Sequence, residues 1–102
     1  MGNAQRVASL LDIPAGKAIS VSLDSKTIAL FNVQGKIFAV DNECTHAGGP
    51  LCEGEVRGTT LTCPWHGASF NLANGEVLGS PASDNLNSYK VVVEGDDVKI
   101  EL

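Results

Sequence analysis

The sequence predicts an all-β protein, and three observations lead to this fold class. Short apolar segments near both ends of the chain alternate with polar residues at a period of two, as half-buried strands do. Pairs that favour tight turns, such as Gln34-Gly35 and Asn74-Gly75, separate several of these segments. No segment shows a sustained helical period of apolar residues between capping residues, so no long helix is expected.

The predicted strands form two groups, one at each end of the chain. The N-terminal group covers residues 7–11, 19–23, 27–33 and 36–40, with a turn at residues 13–16. The C-terminal group covers residues 89–93 and 98–102, with a turn at residues 94–97. A further hairpin is expected between residues 68–72 and 76–78. Because the connections are short, neighbouring strands are expected to pair antiparallel.

The middle of the chain, residues 42–82, differs from both ends. It contains both histidines, all three cysteines, the one tryptophan and seven of the eleven glycines. Its apolar residues are too irregularly spaced to predict a core of its own. A bound metal centre is therefore expected to order it, because the free energy of ligation contributes to folding. We expect one domain over residues 1–102, with residues 42–82 as a subdomain within it.

Charge and composition exclude several function classes. The net charge of −5 would repel the phosphates of nucleic acids, and no apolar run is long enough to span a membrane. The N-terminus lacks the pattern of a signal peptide, so a cytoplasmic location is expected. The odd number of cysteines argues against a disulfide framework and for a role in metal binding.

Several acidic residues cluster near the middle segment, namely Asp41, Glu43, Glu53 and Glu55, with only Arg57 opposing them. They could attract a basic protein partner, because opposite fields steer encounter. They could equally form a solvated face that keeps the protein soluble.

Two short motifs supply four candidate metal ligands. Cys44 and His46 form a C-x-H motif, and Cys63 and His66 form a C-x-x-H motif, with sixteen residues between His46 and Cys63. A structural zinc site with two Cys and two His is chemically reasonable, but it usually places the two cysteines in one loop and the two histidines in another. Here each segment mixes a thiolate with an imidazole, which suits a binuclear iron–sulfur cluster in which each segment contributes to both irons.

The residues around these motifs closely resemble the Rieske family. The matching stretches are Cys44-Thr45-His46-Ala47-Gly48-Gly49-Pro50-Leu51 and Cys63-Pro64-Trp65-His66-Gly67-Ala68-Ser69-Phe70-Asn71. The resemblance extends over nearly the whole chain. It implies an antiparallel β-sandwich base with an inserted two-loop cluster-binding subdomain. It also implies one Rieske-type [2Fe–2S] cluster, with Cys44 and Cys63 on one iron and His46 and His66 on the other.

Four positions favour a low reduction potential within this family. High-potential members carry an extra Cys in each loop, joined as a disulfide, and a Ser and a Tyr whose hydroxyls donate to sulfur. The matching residues here are Gly49, Trp65, Ala68 and Phe70. Each absent donor removes stabilisation of the more negative, reduced cluster. We therefore expect a potential near the bottom of the range of about −150 to +300 mV that Rieske centres cover.

Other residues of the middle segment have simpler interpretations. Cys52 is expected to be a packed free thiol. Gly79-Ser80-Pro81-Ala82 resembles the third, proline-containing loop of the family. Gly48, Gly49 and Gly67 could let backbone N–H groups approach the sulfides, although turn geometry alone would explain them.

The resemblance implies a function in electron transfer. It is to stand-alone Rieske ferredoxins of bacterial ring-hydroxylating oxygenase systems, which take an electron from an NAD(P)H-dependent flavin reductase and deliver it to a terminal oxygenase. The sequence has no second metal motif, no nucleotide fingerprint and no spare histidine, so we expect an electron-transfer component without catalytic residues. An alternative is a small subunit or module of a larger oxidoreductase, as in assimilatory nitrite reductase. A Rieske domain cut from an oxygenase catalytic subunit is a further alternative.

Overall fold

Two antiparallel sheets account for the regular structure of the chain. The computed structural model describes residues 4–23, 25–43, 50–64, 67–79 and 85–101. The larger sheet contains β1 (Ala4–Ser9), β2 (Ala18–Leu23), β3 (Lys26–Val33), β4 (Lys36–Asp41), β9 (Ser88–Glu94) and β10 (Asp97–Glu101). The smaller sheet contains β5 (Glu55–Arg57), β6 (Thr60–Thr62), β7 (Ser69–Asn71) and β8 (Val77–Gly79). Two 3₁₀ turns lie at Leu10–Asp12 and Leu51–Glu53, and no α-helix occurs in these ranges. The predicted all-β class is confirmed.

The larger sheet folds over on itself to make a sandwich-like base. Its strands follow the order β1-β10-β9-β4-β3-β2, and β4 and β9 are joined by only two residue pairs, Ala39 with Tyr89 and Val40 with Ser88. Side chains of β1 and β10 therefore face those of β3 and β4, and together they form one buried cluster. That cluster comprises Ala8, Ile13, Ile28, Leu30, Ile37, Ala39, Val98 and Ile100.

The hairpin between β3 and β4 has the predicted turn. Gln34 and Gly35 both have positive φ, 53° and 91°, and Val33 pairs with Lys36 across the two-residue loop. Positive φ at both positions matches the right-handed twist of the flanking strands. The turn between β9 and β10 is shorter than predicted, since Glu94 pairs with Asp97 and only Gly95 and Asp96 form the loop.

The first strand begins and ends earlier than the sequence pattern predicts. We expected a strand over residues 7–11, but β1 ends at Ser9 and a 3₁₀ turn follows. The Ser9 hydroxyl accepts a hydrogen bond from the Leu11 amide (3.2 Å), and the Asp12 carboxylate accepts one from the Ser9 amide (3.2 Å). This local capping overrides the apolar pattern. As a result, the Leu11 side chain is 79% exposed.

The middle segment shares a buried core with the base and does not form one of its own. The smaller sheet has the order β5-β6-β7-β8, and its strands are only three residues long, too short to show a period. Its buried side chains include Leu61 and Phe70. They pack with Ala29 and Phe31 of β3 in a second buried cluster, completed by Val40, Leu51, Cys63, Ala68, Leu72 and Leu86. Apolar packing therefore contributes to the order of this segment.

Strand β3 is common to both clusters. Ile28 and Leu30 face the base, whereas Ala29 and Phe31 face the smaller sheet. All four side chains are at most 2% exposed. The side chains of a strand alternate between its two faces, so β3, together with Val40 of β4, fixes where the smaller sheet sits on the base.

Candidate metal centre

The first ligand segment, residues 44–49, carries the first motif, and its two ends lie side by side at the end of β4. Glu43 forms an antiparallel bridge with Pro50, and the Leu51 amide donates to the Asn42 carbonyl (2.7 Å). The six residues between Glu43 and Pro50 include Cys44 and His46, which lie outside the described residues, as do Gly48 and Gly49. The structure therefore fixes both ends of the segment that carries the first motif.

The second ligand segment lies at the end of the β6–β7 hairpin. The Cys63 amide donates to the Ala68 carbonyl (2.7 Å), which extends the ladder one step beyond the pair Thr62–Ser69. Gly67 has φ of +75°, a conformation that favours glycine over other residues. Trp65 and His66 lie between these points and outside the described residues.

Cys63 is the one predicted ligand that the structure describes, and it is 2% exposed. It belongs to the same buried cluster as Leu51, which closes the first segment. The end of the first segment and the start of the second are thus brought to one core. Within the described residues no group of three or more Cys, His, Asp or Glu side chains could hold a metal ion, since the other three predicted ligands lie beyond them.

The wall of the site near Cys63 is apolar. Ala68 and Phe70 are fully buried in the same cluster and carry no hydroxyl. No charged or polar side chain is buried in the described part of the chain. With two thiolate and two neutral imidazole ligands, an oxidised [2Fe–2S] cluster has no net charge, and reduction makes it negative. An apolar wall therefore fits the oxidised cluster and disfavours the added charge.

The residues on either side of the segment resembling the third loop are held by hydrogen bonds. Gly79 ends β8, and residues 80–84 lie outside the described residues. Beyond them, the Leu86 amide donates to the Gly75 carbonyl (2.7 Å), and the Asn85 side chain accepts from the Val77 amide (2.9 Å). Gly75 has φ of +78°, and a Cβ there would collide with the Leu86 carbonyl. The Asn74-Gly75 signal thus identified a residue that must be glycine for two reasons.

Sequence analysis did not identify the hydrogen-bonded pair formed by Asp41 and Tyr89. The Tyr89 hydroxyl donates to the Asp41 carboxylate (2.5 Å), which also accepts from the Asn87 amide (3.2 Å). Burial in the first place, and then the hydrogen bond to the Asp41 carboxylate, raise the pKa of the Tyr89 phenol above its ordinary value. The sequence offered two signals for this pair, an aspartate directly after the predicted strand 36–40 and a single tyrosine in the chain. They do not reveal the pairing, because the two residues are 48 positions apart.

The acidic residues near the site separate into two kinds. Glu43, Glu53 and Glu55 are exposed, and Glu55 pairs with Arg57 (2.6 Å). Asp41 is half-buried and accepts the hydrogen bonds described above. Of these four residues, Glu43 and Glu53 therefore offer charge to an approaching protein, and Glu55 does so with Arg57 beside it.

Cys52 is half-buried and packs against the cluster that contains Cys63. It also lines an open groove of about 600 Å³ between the base and the smaller sheet, together with Lys17, Phe31, Glu53 and Val56 among others. This placement agrees with a packed thiol.

The described part of the chain contains no helix that could span a membrane.

The chain is similar to known proteins in both sequence and fold. The sequence profile of the Rieske [2Fe–2S] domain matches residues 3–90. The chain therefore belongs to the Rieske [2Fe–2S] domain family. It is 36% identical over 94 residues to the ferredoxin component of the naphthalene 1,2-dioxygenase system of Pseudomonas aeruginosa, covering 92% of this chain and 90% of that protein.

Solved structures give the same result. A ferredoxin of Sphingomonas yanoikuyae B1 superposes with a TM-score of 0.90 at 32% identity and covers 98% of this chain and 99% of its own. A chain from the complex of reduced oxygenase and oxidised ferredoxin in carbazole 1,9a-dioxygenase superposes with a TM-score of 0.87 at 27% identity, covering 96% of this chain and 92% of its own. The cofactor is thus one Rieske-type [2Fe–2S] cluster, and the chain is an electron carrier of the ferredoxin type.

The Asp41–Tyr89 hydrogen bond predicts how stability depends on pH. Tyr89→Phe should lower the free energy of unfolding near pH 8 by about 1 kcal/mol, since one hydrogen bond is lost. A tyrosine whose pKa is raised by folding stabilises the protein fully below its unfolded pKa of about 10, and that contribution is lost as pH rises towards the folded value. The difference between wild type and variant should therefore shrink above about pH 10.

Urea unfolding of both proteins from pH 7 to pH 12 measures this difference. Tyr89 is the only tyrosine in the chain, so the comparison isolates its titration. A difference that stays constant up to pH 12 would contradict the inferred role of the phenol.

Proposed function

We propose that this protein carries single electrons from an NAD(P)H-dependent flavin reductase to a terminal ring-hydroxylating oxygenase. The observation that carries the proposal is its likeness, over nearly its whole length, to a ferredoxin component of such a system. A ferredoxin with this fold is also found in a complex with its oxygenase. On this proposal the chain has no catalytic residues and is not itself an enzyme. We also infer a cytoplasmic location, because thiols of an odd-numbered cysteine set stay reduced there.

We further propose the four cluster ligands, Cys44 and Cys63 on one iron and His46 and His66 on the other. The cluster, when bound, accepts and releases one electron. The chain closes each ligand segment by backbone hydrogen bonds, at Asn42–Leu51 and at Cys63–Ala68. Buried apolar side chains around Cys63 exclude water from this side of the site. We retain one domain over residues 1–102, with residues 42–82 as the cluster-binding subdomain.

Substitution of each proposed ligand tests this assignment. Cys44→Ser, His46→Ala, Cys63→Ser and His66→Ala should each abolish the visible absorption of the cluster and its rhombic EPR signal after dithionite reduction, because a complete ligand set is needed to hold it.

Cys52→Ser is the matched control, since the third cysteine is half-buried in the same region but is not a proposed ligand. It should keep both signals. Loss of the cluster in the Cys52 variant would overturn the ligand assignment, and a colourless wild-type protein would favour a zinc site instead.

We propose that the reduction potential lies near the bottom of the Rieske range. The wall beside Cys63 is formed by Ala68 and Phe70, both fully buried and neither able to donate a hydrogen bond from its side chain. A reduced cluster carries one more negative charge than an oxidised one, so missing donors and apolar surroundings both disfavour reduction.

Ala68→Ser should raise the midpoint potential by about 40 mV, because one added hydrogen bond of about 1 kcal/mol would stabilise the reduced state of a one-electron couple. Redox titration followed by EPR gives the midpoint.

Ala29→Ser is the control for Ala68→Ser. It adds a hydroxyl to a fully buried alanine of the same cluster, on β3 rather than beside Cys63. It should leave the midpoint unchanged. A wild-type midpoint above about +100 mV, in the upper part of the Rieske range, would contradict the low-potential proposal.

Reconstitution tests the function itself. The cluster-loaded protein should restore NAD(P)H-dependent hydroxylation to a mixture of a flavin reductase and a ring-hydroxylating oxygenase from neighbouring genes, and the Cys63→Ser variant should not.

The exposed glutamates near the site predict that the reduction rate depends on salt. Glu43, Glu53 and Glu55 are exposed, so reduction by a basic partner should slow as salt rises.

Stopped-flow absorbance measures the rate of reduction at each salt concentration. The small-subunit alternative would be favoured if no flavin reductase reduced the loaded protein while it bound stably to a larger oxidoreductase subunit.

A further inference from the structure

The half-buried residue Asn42 precedes the first ligand segment and is hydrogen-bonded to the residues that follow it. It lies directly after β4, and its amide donates to the Thr27 carbonyl of β3 (3.0 Å). Its backbone carbonyl accepts from the Leu51 amide (2.7 Å). Its side-chain Oδ1 accepts from the Cys52 amide (3.0 Å). One residue before the segment therefore binds two consecutive amides after it.

From these contacts we propose that Asn42 is a positioning residue for the cluster, acting through the segment that carries Cys44 and His46. This proposal rests on the proposed ligand set. The Oδ1 atom of Asn42 satisfies a backbone donor at Cys52, in the 3₁₀ turn Leu51–Glu53 that ends the segment. Without this acceptor the donor loses its partner in a partly buried place, which is costly.

The position of Asn42 is itself fixed by the contacts of its neighbour Asp41. The adjacent residue, Asp41, exchanges backbone and side-chain hydrogen bonds with Asn87 and accepts from Tyr89. Leu51, on the far side of the segment, is fully buried in the core that contains Cys63. Asn42 thus connects the anchored end of β4 to an anchored 3₁₀ turn, and the distance between the two ends of the segment is set by its hydrogen bonds.

The side-chain hydrogen bond of Asn42 adds a second link between the two ends of the first ligand segment. Glu43 and Pro50 form an isolated antiparallel bridge, and the hydrogen bond from the Leu51 amide to the Asn42 carbonyl belongs to it. The Asn42–Leu51 and Asn42–Cys52 hydrogen bonds are therefore the main polar links between the two ends among the described residues. The carbonyl contact is available to any residue at this position, whereas the Oδ1 contact requires Asn or a residue with an equivalent acceptor.

Asn42→Ala tests the proposal on the cluster-loaded protein. The rate of cluster release, followed by the loss of visible absorption in the presence of an iron chelator, should rise about tenfold, as expected when one partly buried hydrogen bond is lost. The rhombic EPR lines of the reduced cluster should broaden, since the segment would no longer be held in one arrangement.

Asn32→Ala is the matched control. Asn32 is also half-buried and makes two side-chain hydrogen bonds, donating to the Ile13 carbonyl (2.7 Å) and accepting from the Gly35 amide (2.8 Å). Asn32 lies in β3, and its two side-chain hydrogen bonds go to residues of the base and to neither ligand segment. Its loss should lower the stability of the fold to urea, as the loss of Asn42 does, but should leave cluster release and the EPR line shape as in the wild type.

Asn42→Asp is the conservative variant, because it keeps an acceptor for the Cys52 amide. It should release the cluster at the wild-type rate, and it decides the matter if Asn42→Ala fails to fold. Equal release rates for Asn42→Ala and Asn32→Ala at matched stability, or fast release from Asn42→Asp, would overturn the proposal. A wrong ligand set would be recognised separately, since the Cys and His variants would then still bind the cluster.

Discussion

Strand β3 is buried on both faces, and the position of the proposed site depends on this constraint. A strand of this kind must satisfy two cores at once, because its side chains alternate between them. Ile28 and Leu30 complete the core of the base, while Ala29 and Phe31 complete the core shared with the smaller sheet. A shift of β3 by one residue would exchange the two sets. The register of β3 thereby determines where Cys63 lies relative to the end of β4.

The apolar core under the smaller sheet has a second consequence, for the cofactor. The side chains that bury Cys63 are aliphatic or aromatic, and none of them is charged. The same packing that holds the second ligand segment in place therefore makes an added negative charge costly. On the low-potential proposal, the residues that stabilise the subdomain by packing also lower the affinity of the cluster for an electron. Ala68 is one of these residues, because it is fully buried and its carbonyl accepts a hydrogen bond from the Cys63 amide.

The sequence predicted the fold class and the longer hairpins because their signals are local. The Gln34-Gly35 turn has the positive φ values that its composition requires, and Asn74-Gly75 lies in a turn where a side chain would collide with Leu86. The core that the middle segment shares with the base could not be predicted, because three-residue strands are too short to show an alternating pattern. The Asp41–Tyr89 pair could not be predicted either, because it joins distant positions. The types and spacing of the Cys and His residues indicated the ligand motifs, and the family resemblance implied which iron each residue would bind.

The order of the middle segment does not depend on a metal alone. Asp41, the last residue of β4, and Asn42, which follows it, hold two different parts of the chain. Asp41 binds the residues that follow the third loop, at Asn87 and Tyr89. Asn42 binds those that follow the first ligand segment. The residues after the third loop are joined in turn to the hairpin that follows the second ligand segment, through Leu86 and Gly75. These contacts involve protein atoms only, so they can hold the ends of all three segments together before a cluster binds. Because the ends of these segments are held by protein contacts, cluster binding orders less of the chain, and its cost in conformational entropy is lower.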